Sequence, residues 1–536
     1  MSSASSSPPY SVPMAEAMFY YSGLLYRTSW ETMPWTMPTG PEAYRQLKEL
    51  RLVFNHKLNI IWTTDLGPKV CQLLDLQRVL WTSIDIVRFI KVGEGEAVGP
   101  VILWIGVAPE SLSGEDAHTS ATGCLDLLKE FGITDVEVEF RESIYTPLAG
   151  PNLVKPASDL DPDVDVRGPL TPALGLSIAA QATPHAEGTG GIYLAEGGKS
   201  KKVFLITARH VLFPPDDGPN VNYVRPNTSA PCRNVLLLGT RAFDDFLDSI
   251  RIRIGRHGIM VDRHERQIKK LQARVDGEDN KDAEKATKQL EKAQRLLDDA
   301  REATQALETF YDESKKQWSD PRQRVLGHIA RSPPITLGAG TEGFTEDYAV
   351  VELDRSKFKD AFEGNVIDLG TEISEDDFTR KMYPRLDAAP SFKYPEDRLL
   401  RLRGVISENV MRKPDMLDRD GEPCLLVIKN GKTTGVTIGR GTGIFSYVRK
   451  YFGNNTHQTS MEWSILPYDN KSGVFSARGD SGSVIADGVG RIGGILTGGA
   501  GKTASSDITY ATPFFWLLPR IKQNGFPRAH LSPVMD

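Results

Sequence analysis

Hydrophobic residues between about 173 and 525 fall in short runs of β type, among them Val203-Phe204-Leu205-Ile206 and Ala349-Val350-Val351, broken by glycine-rich turns. Many such runs in series predict a β-barrel or sandwich. Between residues 242 and 319 the pattern changes. Leu247, Ile250, Ile254, His257, Val261, His264, Ile268, Leu271 and Val275 recur in alternating steps of three and four, as a helical seam does. A second seam follows the polar turn Asp276-Gly277-Glu278-Asp279-Asn280 and runs through Ala283, Ala286, Leu290, Ala293, Leu297, Ala300, Thr304, Leu307 and Tyr311 to Trp318. Two such helices predict an antiparallel coiled-coil hairpin, on the order of 45–55 Å long at ~1.5 Å per residue. The alanine-rich second seam favours packing within one chain; self-association between chains is the competing outcome. His257 and His264 lie on the first seam, where packing is the ordinary role of a histidine and metal binding or pH sensing the exceptional one.

Upstream the organisation differs. Residues 1–40 mix Ser, Pro and aromatics without a sustained period and read as a flexible tail or a clip of strand. Residues 41–143 read as an α/β domain. VILWIG (Val101 to Gly106) is a buried strand, Ser113 and Asp116 stand at capping-box spacing, and a helix carrying Leu125, Leu127, Leu128 and Phe131 stops at Gly132 before the alternating Val136, Val138 and Phe140. No phosphate-cradling glycine loop opens that helix, so a packing or partner-binding role is expected rather than a nucleotide site. Six prolines within 144–172 mark a linker, and 526–536 reads as a C-terminal tail.

Composition narrows the class. At 40% hydrophobic and 25% charged, the 536-residue chain is an ordinary globular protein of more than one unit. Its formal charge of −6 gives no ground for a nucleic-acid surface. No run of ~18 apolar residues and no secretory leader pattern occur, so neither a membrane partner nor secretion is expected, and the location is read as intracellular, cytoplasmic rather than exported. Cys71, Cys124, Cys232 and Cys424 stand too far apart for a metal knuckle or a disulfide framework and are expected as reduced thiols.

Three separated segments carry candidate chemistry. Lys202 to Leu212 is an apolar strand ending in Thr207-Ala208-Arg209-His210, which sets an imidazole at a strand end where it can act as general base. Asp347 opens the apolar strand Tyr348 to Leu353, where a carboxylate can accept the other imidazole N–H and fix its tautomer. Asp244, Asp245 and Asp248 are rival acids, but they lie where helical character begins. Ser476 to Ile485 holds Gly479-Asp480-Ser481-Gly482, whose glycines let the chain turn tightly enough for the amides of Gly479 and Ser481 to form an oxyanion hole.

The order Thr-Ala-x-His, Asp-x-Ala-Val, Gly-Asp-Ser-Gly resembles that of the trypsin/chymotrypsin-like serine peptidases. Weaker likenesses extend it. Gly188 to Leu194 looks like the first strand of intracellular and bacterial members, Lys429 to Thr437 like a second-barrel strand with its Thr-Thr-Gly turn, and Tyr510 to Leu518 like the closing strand and C-terminal helix. The resemblance covers about 173–525 and implies a mainly β fold: a chymotrypsin-like double β-barrel with the helical hairpin (242–319) inserted, preceded by the smaller α/β domain. It implies His210, Asp347 and Ser481 as the catalytic triad, Gly479 and Ser481 as the oxyanion hole, a polypeptide substrate, and no metal or organic cofactor. The 137-residue gap from His210 to Asp347 exceeds the family's, but setting the hairpin aside leaves 59. Phe475, Thr497, Gly499 and Ile508 would line the primary pocket; with no acid at Phe475 an apolar or small preference follows, while Asp507 near the opposing wall leaves a basic preference open. Thr497 also stands where the family has a serine that helps hold the triad acid. Ser483 replaces the family's second glycine after the nucleophile. Asp480 resembles the residue that pairs with a freshly cut N-terminus in secreted zymogens, yet no activation sequence precedes the first strand, so either Asp480 needs another partner or the site is switched by some other means. Two functions stay open: a serine endopeptidase regulated by partner binding, and a catalytically silent scaffold that binds proteins through the coiled-coil arm and N-terminal domain.

Overall fold

The computed structural model describes residues 10, 12–13, 16–17, 23–30, 35–36, 48–91, 99–143, 150–216, 218–225, 232–276, 280–385, 392–451, 456–501 and 507–535. They form two units, one from the first 149 residues together with 225–232, the other from the rest.

The first unit is a five-stranded sheet in the order β1-β5-β4-β3-β2, with β1 at Leu24–Arg27, β2 at Lys48–Arg51, β3 at Trp81–Lys91, β4 at Val101–Val107 and β5 at Val136–Glu142. Helix α1 (Gly67–Leu76) precedes β3, and α2 (Gly114–Glu130) crosses from β4 to the parallel β5. All seven residues of β4 are buried, as a central strand requires. The Ser113 hydroxyl accepts the Asp116 amide at 3.1 Å and so caps α2, while Gly132 just beyond the helix takes φ +67°. The buried stripe of α2 is Ala117, Ala121, Cys124 and Leu128; Leu125, Leu127 and Phe131 are half-buried at its border. β1 arises inside the stretch read as a tail, and its Tyr26 is 3% exposed.

In the second unit the strands β6 (Leu176–Ala180), β7 (Glu187–Gly190), β8 (Ile192–Ala195), β9 (Val203–Thr207), β10 (Asn234–Leu237), β11 (Val325–Ser332) and, after the hairpin β12 (Thr336–Ala339) and β13 (Phe344–Glu346), β14 (Ala349–Leu353) share one antiparallel sheet, β12 and β13 excepted. Its order is β7-β6-β10-β11-β14-β9-β8, and β7 runs into β8 through Gly191, so the two ends of the sheet are one bent strand and the sheet curls into a barrel. A Cβ on Gly191 would lie 2.1 Å from the Gly482 carbonyl oxygen, which only glycine avoids. A second sheet holds β15 (Leu425–Gly431), β16 (Gly435–Gly441), β17 (Ser446–Tyr451), β18 (His457–Pro467), β19 (Val484–Asp487), β20 (Ile492–Ala500) and β21 (Ile508–Pro513). It closes as the ring β18-β16-β15-β19-β20-β21, the last strand pairing back on β18 through Trp463↔Ala511. Helix α5 (Phe514–Gln523) follows.

Between β10 and β11 stand α3 (Thr240–Val275, 36 residues) and α4 (Asn280–Trp318, 39 residues). Their seam buries Ile250, His264 and Leu271 on α3 and Ala286, Ala293, Leu297, Ala300 and Leu307 on α4, and Arg301 reaches Glu265 across it at 2.7 Å. The base of the pair is part of the barrel core: Phe243, Phe246, Ile250, Leu307 and Trp318 belong to the same buried cluster as Leu205, Val350 and Ile428. The boundaries read as linker and tail are also built in. Leu153, Val166 and Leu170 lie in that cluster, and Ala195 and His530 exchange backbone hydrogen bonds of 2.9 and 3.1 Å. Apolar side chains drew these proline-rich segments onto the barrel. Residues 144–149 lie outside the described set. None of the four cysteines is paired, and among the described residues no helix is long and apolar enough to cross a membrane.

Candidate active site

The strand register brings the first two candidates together. β14 pairs antiparallel with β9 as Ala349↔Thr207 and Val350↔Ile206, which carries Asp347, just before β14, alongside the turn just after β9. There the chain enters a single helical turn, Arg209–Leu212. His210 Nδ1 lies 2.6 Å from Asp347 Oδ2, and the His210 amide donates to Asp347 Oδ1 at 3.2 Å. Asp244, Asp245 and Asp248 are exposed on the first turns of α3. Burial alone would raise the Asp347 pKa, but the His210 charge, its hydrogen bonds and the neighbouring backbone amides outweigh it and hold the carboxyl below its ordinary range. For His210, burial works against the imidazolium, the Asp347 charge and hydrogen bond prevail, and the pKa is raised; the Lys450 charge opposes them.

Ser481 sits on the loop from Ala477 to Ser483. A Cβ on Gly482 (φ +93°) would meet Thr189 O at 2.2 Å, Thr207 Oγ1 at 2.3 Å and Ala208 N at 3.1 Å, so the loop is pressed onto the segment that ends in His210. The Thr189 amide donates to Ser481 O at 2.9 Å. Ser481 is half-buried, and its hydroxyl makes no hydrogen bond among the described residues. Loop amides divide in an instructive way. Asp480 N–H donates to Ala477 O, Gly482 N–H to Leu496 O and Ser483 N–H to Asp480 O, whereas the N–H groups of Gly479 (φ +106°) and Ser481 find no acceptor among the described residues. Two unspent donors on alternate residues of a tight loop are what an oxyanion hole needs.

The partner of Asp480 is Lys429, a residue the sequence reading passed over. Both side chains are fully buried, with Nζ 3.4 Å from Oδ2. Asp480 Oδ1 accepts the amides of Thr433 (2.8 Å) and Thr434 (3.2 Å), and Oδ2 accepts the Thr434 hydroxyl (2.6 Å) and the Ala477 amide (2.9 Å). Lys429 Nζ also donates to the Thr434 hydroxyl and to Gly435 O at 2.9 Å. Burial pushes its pKa down to about 8 against the pull of Asp480. The signal was present in the sequence: a lysine directly after the apolar run Leu425 to Ile428, in the same strand, can be buried only with a partner.

The pocket candidates scatter. Phe475 is 1% exposed, packed on Gly439, with its carbonyl accepting the Thr437 hydroxyl at 2.7 Å. The Thr497 hydroxyl donates to the Tyr510 carbonyl at 3.3 Å, not to Asp347, and Gly499 is exposed. Ile508 lines a cavity of about 480 Å³ with Arg440, Thr442, Ser446, Ser464 and Leu466, whose lining includes none of the other three.

No family model and no curated protein matches the sequence. Among solved structures, Thermobifida fusca Protease A matches over 65% of this chain and 95% of its own, with 11% identity and a TM-score of 0.28. Cellulomonas bogoriensis chymotrypsin matches over 39% and 76%, with 15% identity and a TM-score of 0.21, and the Rv3671c protease from M. tuberculosis, active form, over 73% and 97%, with 11% identity and a TM-score of 0.23.

Proposed function

We propose that the chain is a serine endopeptidase. The observation that supports this best is the hydrogen-bonded Asp347–His210 pair, set beside a loop whose Gly479 and Ser481 amides are unspent. In this reading Ser481 Oγ attacks the carbonyl carbon of a peptide bond while His210 Nε2 takes the hydroxyl proton. Asp347 accepts the Nδ1–H, fixing the tautomer and stabilising the imidazolium. The carbonyl oxygen, now negative, is held by the two amides. As the intermediate collapses, the C–N bond breaks and His210 returns its proton to the departing amine. A water, deprotonated by His210, then attacks the acyl ester; the bond to Ser481 Oγ breaks, His210 returns the proton to that oxygen, and the acid product leaves. No step calls on a metal or cofactor. The Ser481 hydroxyl and His210 make no hydrogen bond here, a looseness common at such sites.

Lys429 supplies the cation that a freshly cut N-terminus supplies in secreted zymogens, so the loop around Asp480 is held without a proteolytic trigger. The exposed charged faces of α3 and α4 are the surface we assign to a regulating protein partner.

The test is covalent labelling by a fluorophosphonate probe. The wild-type chain is expected to label, and Ser481→Ala to lose the label while keeping its melting temperature. A folded wild-type protein that takes up no label would return the reading to a silent scaffold.

A further inference from the structure

The ribbon β17–β18 stands apart from the second barrel's ring. β17 pairs only with β18, from Ser446↔Glu462 to Tyr451↔His457, and among the described residues no strand covers its other edge. An uncovered edge offers amides and carbonyls to an extended chain. Lysines on an edge commonly serve only to prevent such pairing, but that role would not set Tyr447 and Tyr451 on it at 78% and 72% exposure.

This ribbon is joined to the segment that carries Asp347. Met461 of β18 pairs with Phe344, and its amide donates to Gly343 O at 2.7 Å. Next to it, buried Glu462 is held by the hydroxyls of Thr345 and Ser460, two residues from Asp347 in the first case. The ribbon is therefore anchored on the strand that delivers the triad acid, and the Lys450 charge is felt at His210. The ribbon is also cationic within an acidic chain: Arg449 and Lys450 are exposed, and its single acid is Glu462. Burial pushes Glu462 up to about 7, so near neutral pH it carries only part of a negative charge. Arg478, exposed and next to Gly479, adds a further cation beside the loop.

We propose that the β17 edge docks an extended, acidic stretch of the polypeptide substrate, with Arg449 and Lys450 selecting Asp or Glu close to the scissile bond and Tyr447 and Tyr451 packing on its side chains. This rests on Ser481 being the nucleophile. The resulting preference is expected at about threefold to fivefold per charge contact, the size an exposed ion pair supports.

The experiment digests a library of proteome-derived peptides and reads the cleavage sites by mass spectrometry. Wild type should enrich acidic residues within four positions of the cut. Arg449→Glu/Lys450→Glu should turn the enrichment toward Lys and Arg, and the conservative Arg449→Lys/Lys450→Arg should keep the wild-type profile, which a merely structural role for the ribbon would not separate. A wild type that labels at Ser481 yet shows no acidic enrichment, or an enrichment unchanged by the double reversal, overturns this inference alone. A wild type that neither labels nor cleaves overturns it together with the peptidase reading.

Discussion

Replacing Lys429 by methionine keeps the unbranched stem and removes the ammonium, leaving Asp480 as a buried carboxylate with four donors and no counter-charge. Two effects follow. Breaking one side of a buried pair costs about 3–5 kcal/mol, because the remaining charge stays in a poor solvent. The loss of function is large as well: Asp480 can relieve its charge by rotating away, which releases the Thr433, Thr434 and Ala477 amides that pin the loop. A single misplaced oxyanion donor costs about 10²–10³-fold. Urea unfolding and the rate of fluorophosphonate labelling at pH 7 measure the two effects separately. Labelling within about threefold of wild type, in a protein destabilised as expected, would refute the claim that Lys429 holds the loop.

The same pair sets a pH dependence. Lys429 has a folded pKa below its unfolded value, so between about 8 and about 10.4 the unfolded chain binds the extra proton and this group's contribution to stability rises with pH. Activity runs the other way, since above about 8 the ammonium is lost and Asp480 is unpaired. Activity should therefore fall on the alkaline side while the protein is still folded, and circular dichroism followed alongside kcat/KM would show the two curves part.

Other outcomes follow from the same geometry. Asp347→Asn should lower kcat by about 10⁴-fold, the effect of losing a triad acid. The acid limb of wild-type kcat/KM should lie above the ordinary histidine range, because Asp347 raises the His210 pKa; an acid limb at or below that range would contradict the pairing. The stability tied to that histidine is fully present below its unfolded pKa and is lost as pH rises through the folded one, so acid inactivation should precede any acid unfolding by this group. Excision of 258–299 with a two-residue turn joining His257 to Ala300, which lie at similar distances from the present turn, should leave the melting temperature unchanged. Excision of 242–319 removes Phe243, Phe246, Ile250, Leu307 and Trp318 from the core at about 1.5–3 kcal/mol each, as much as a whole domain's margin, and should give insoluble protein.

What could be read from the sequence and what could not divides along a physical line. Ser481 with its flanking glycines, and His210 at a strand end, are local: the turn geometry and the apolar run are written in consecutive residues. The hairpin seam was legible because heptad spacing is also local, and the buried positions Ile250, His264, Leu271, Ala293, Leu297 and Leu307 fall on it. Asp347 required knowing that β14 pairs with β9, a register between segments more than 130 residues apart, and only the argument that a hairpin intervenes made the distance reasonable. Where partners had to be found across the fold, local reasoning ran out. Thr497 bonds to Tyr510 because β20 slips by one residue between Leu496 and Gly498, a bulge that no motif announces. Lys429 lay inside a segment already singled out for its Thr-Thr-Gly turn, but its meaning comes from Asp480, about fifty residues on. An unpartnered acid in a loop motif and an inward lysine in an apolar strand each demand a counter-charge. One buried ion pair meets both demands, and the same pair holds the loop around Asp480 in place.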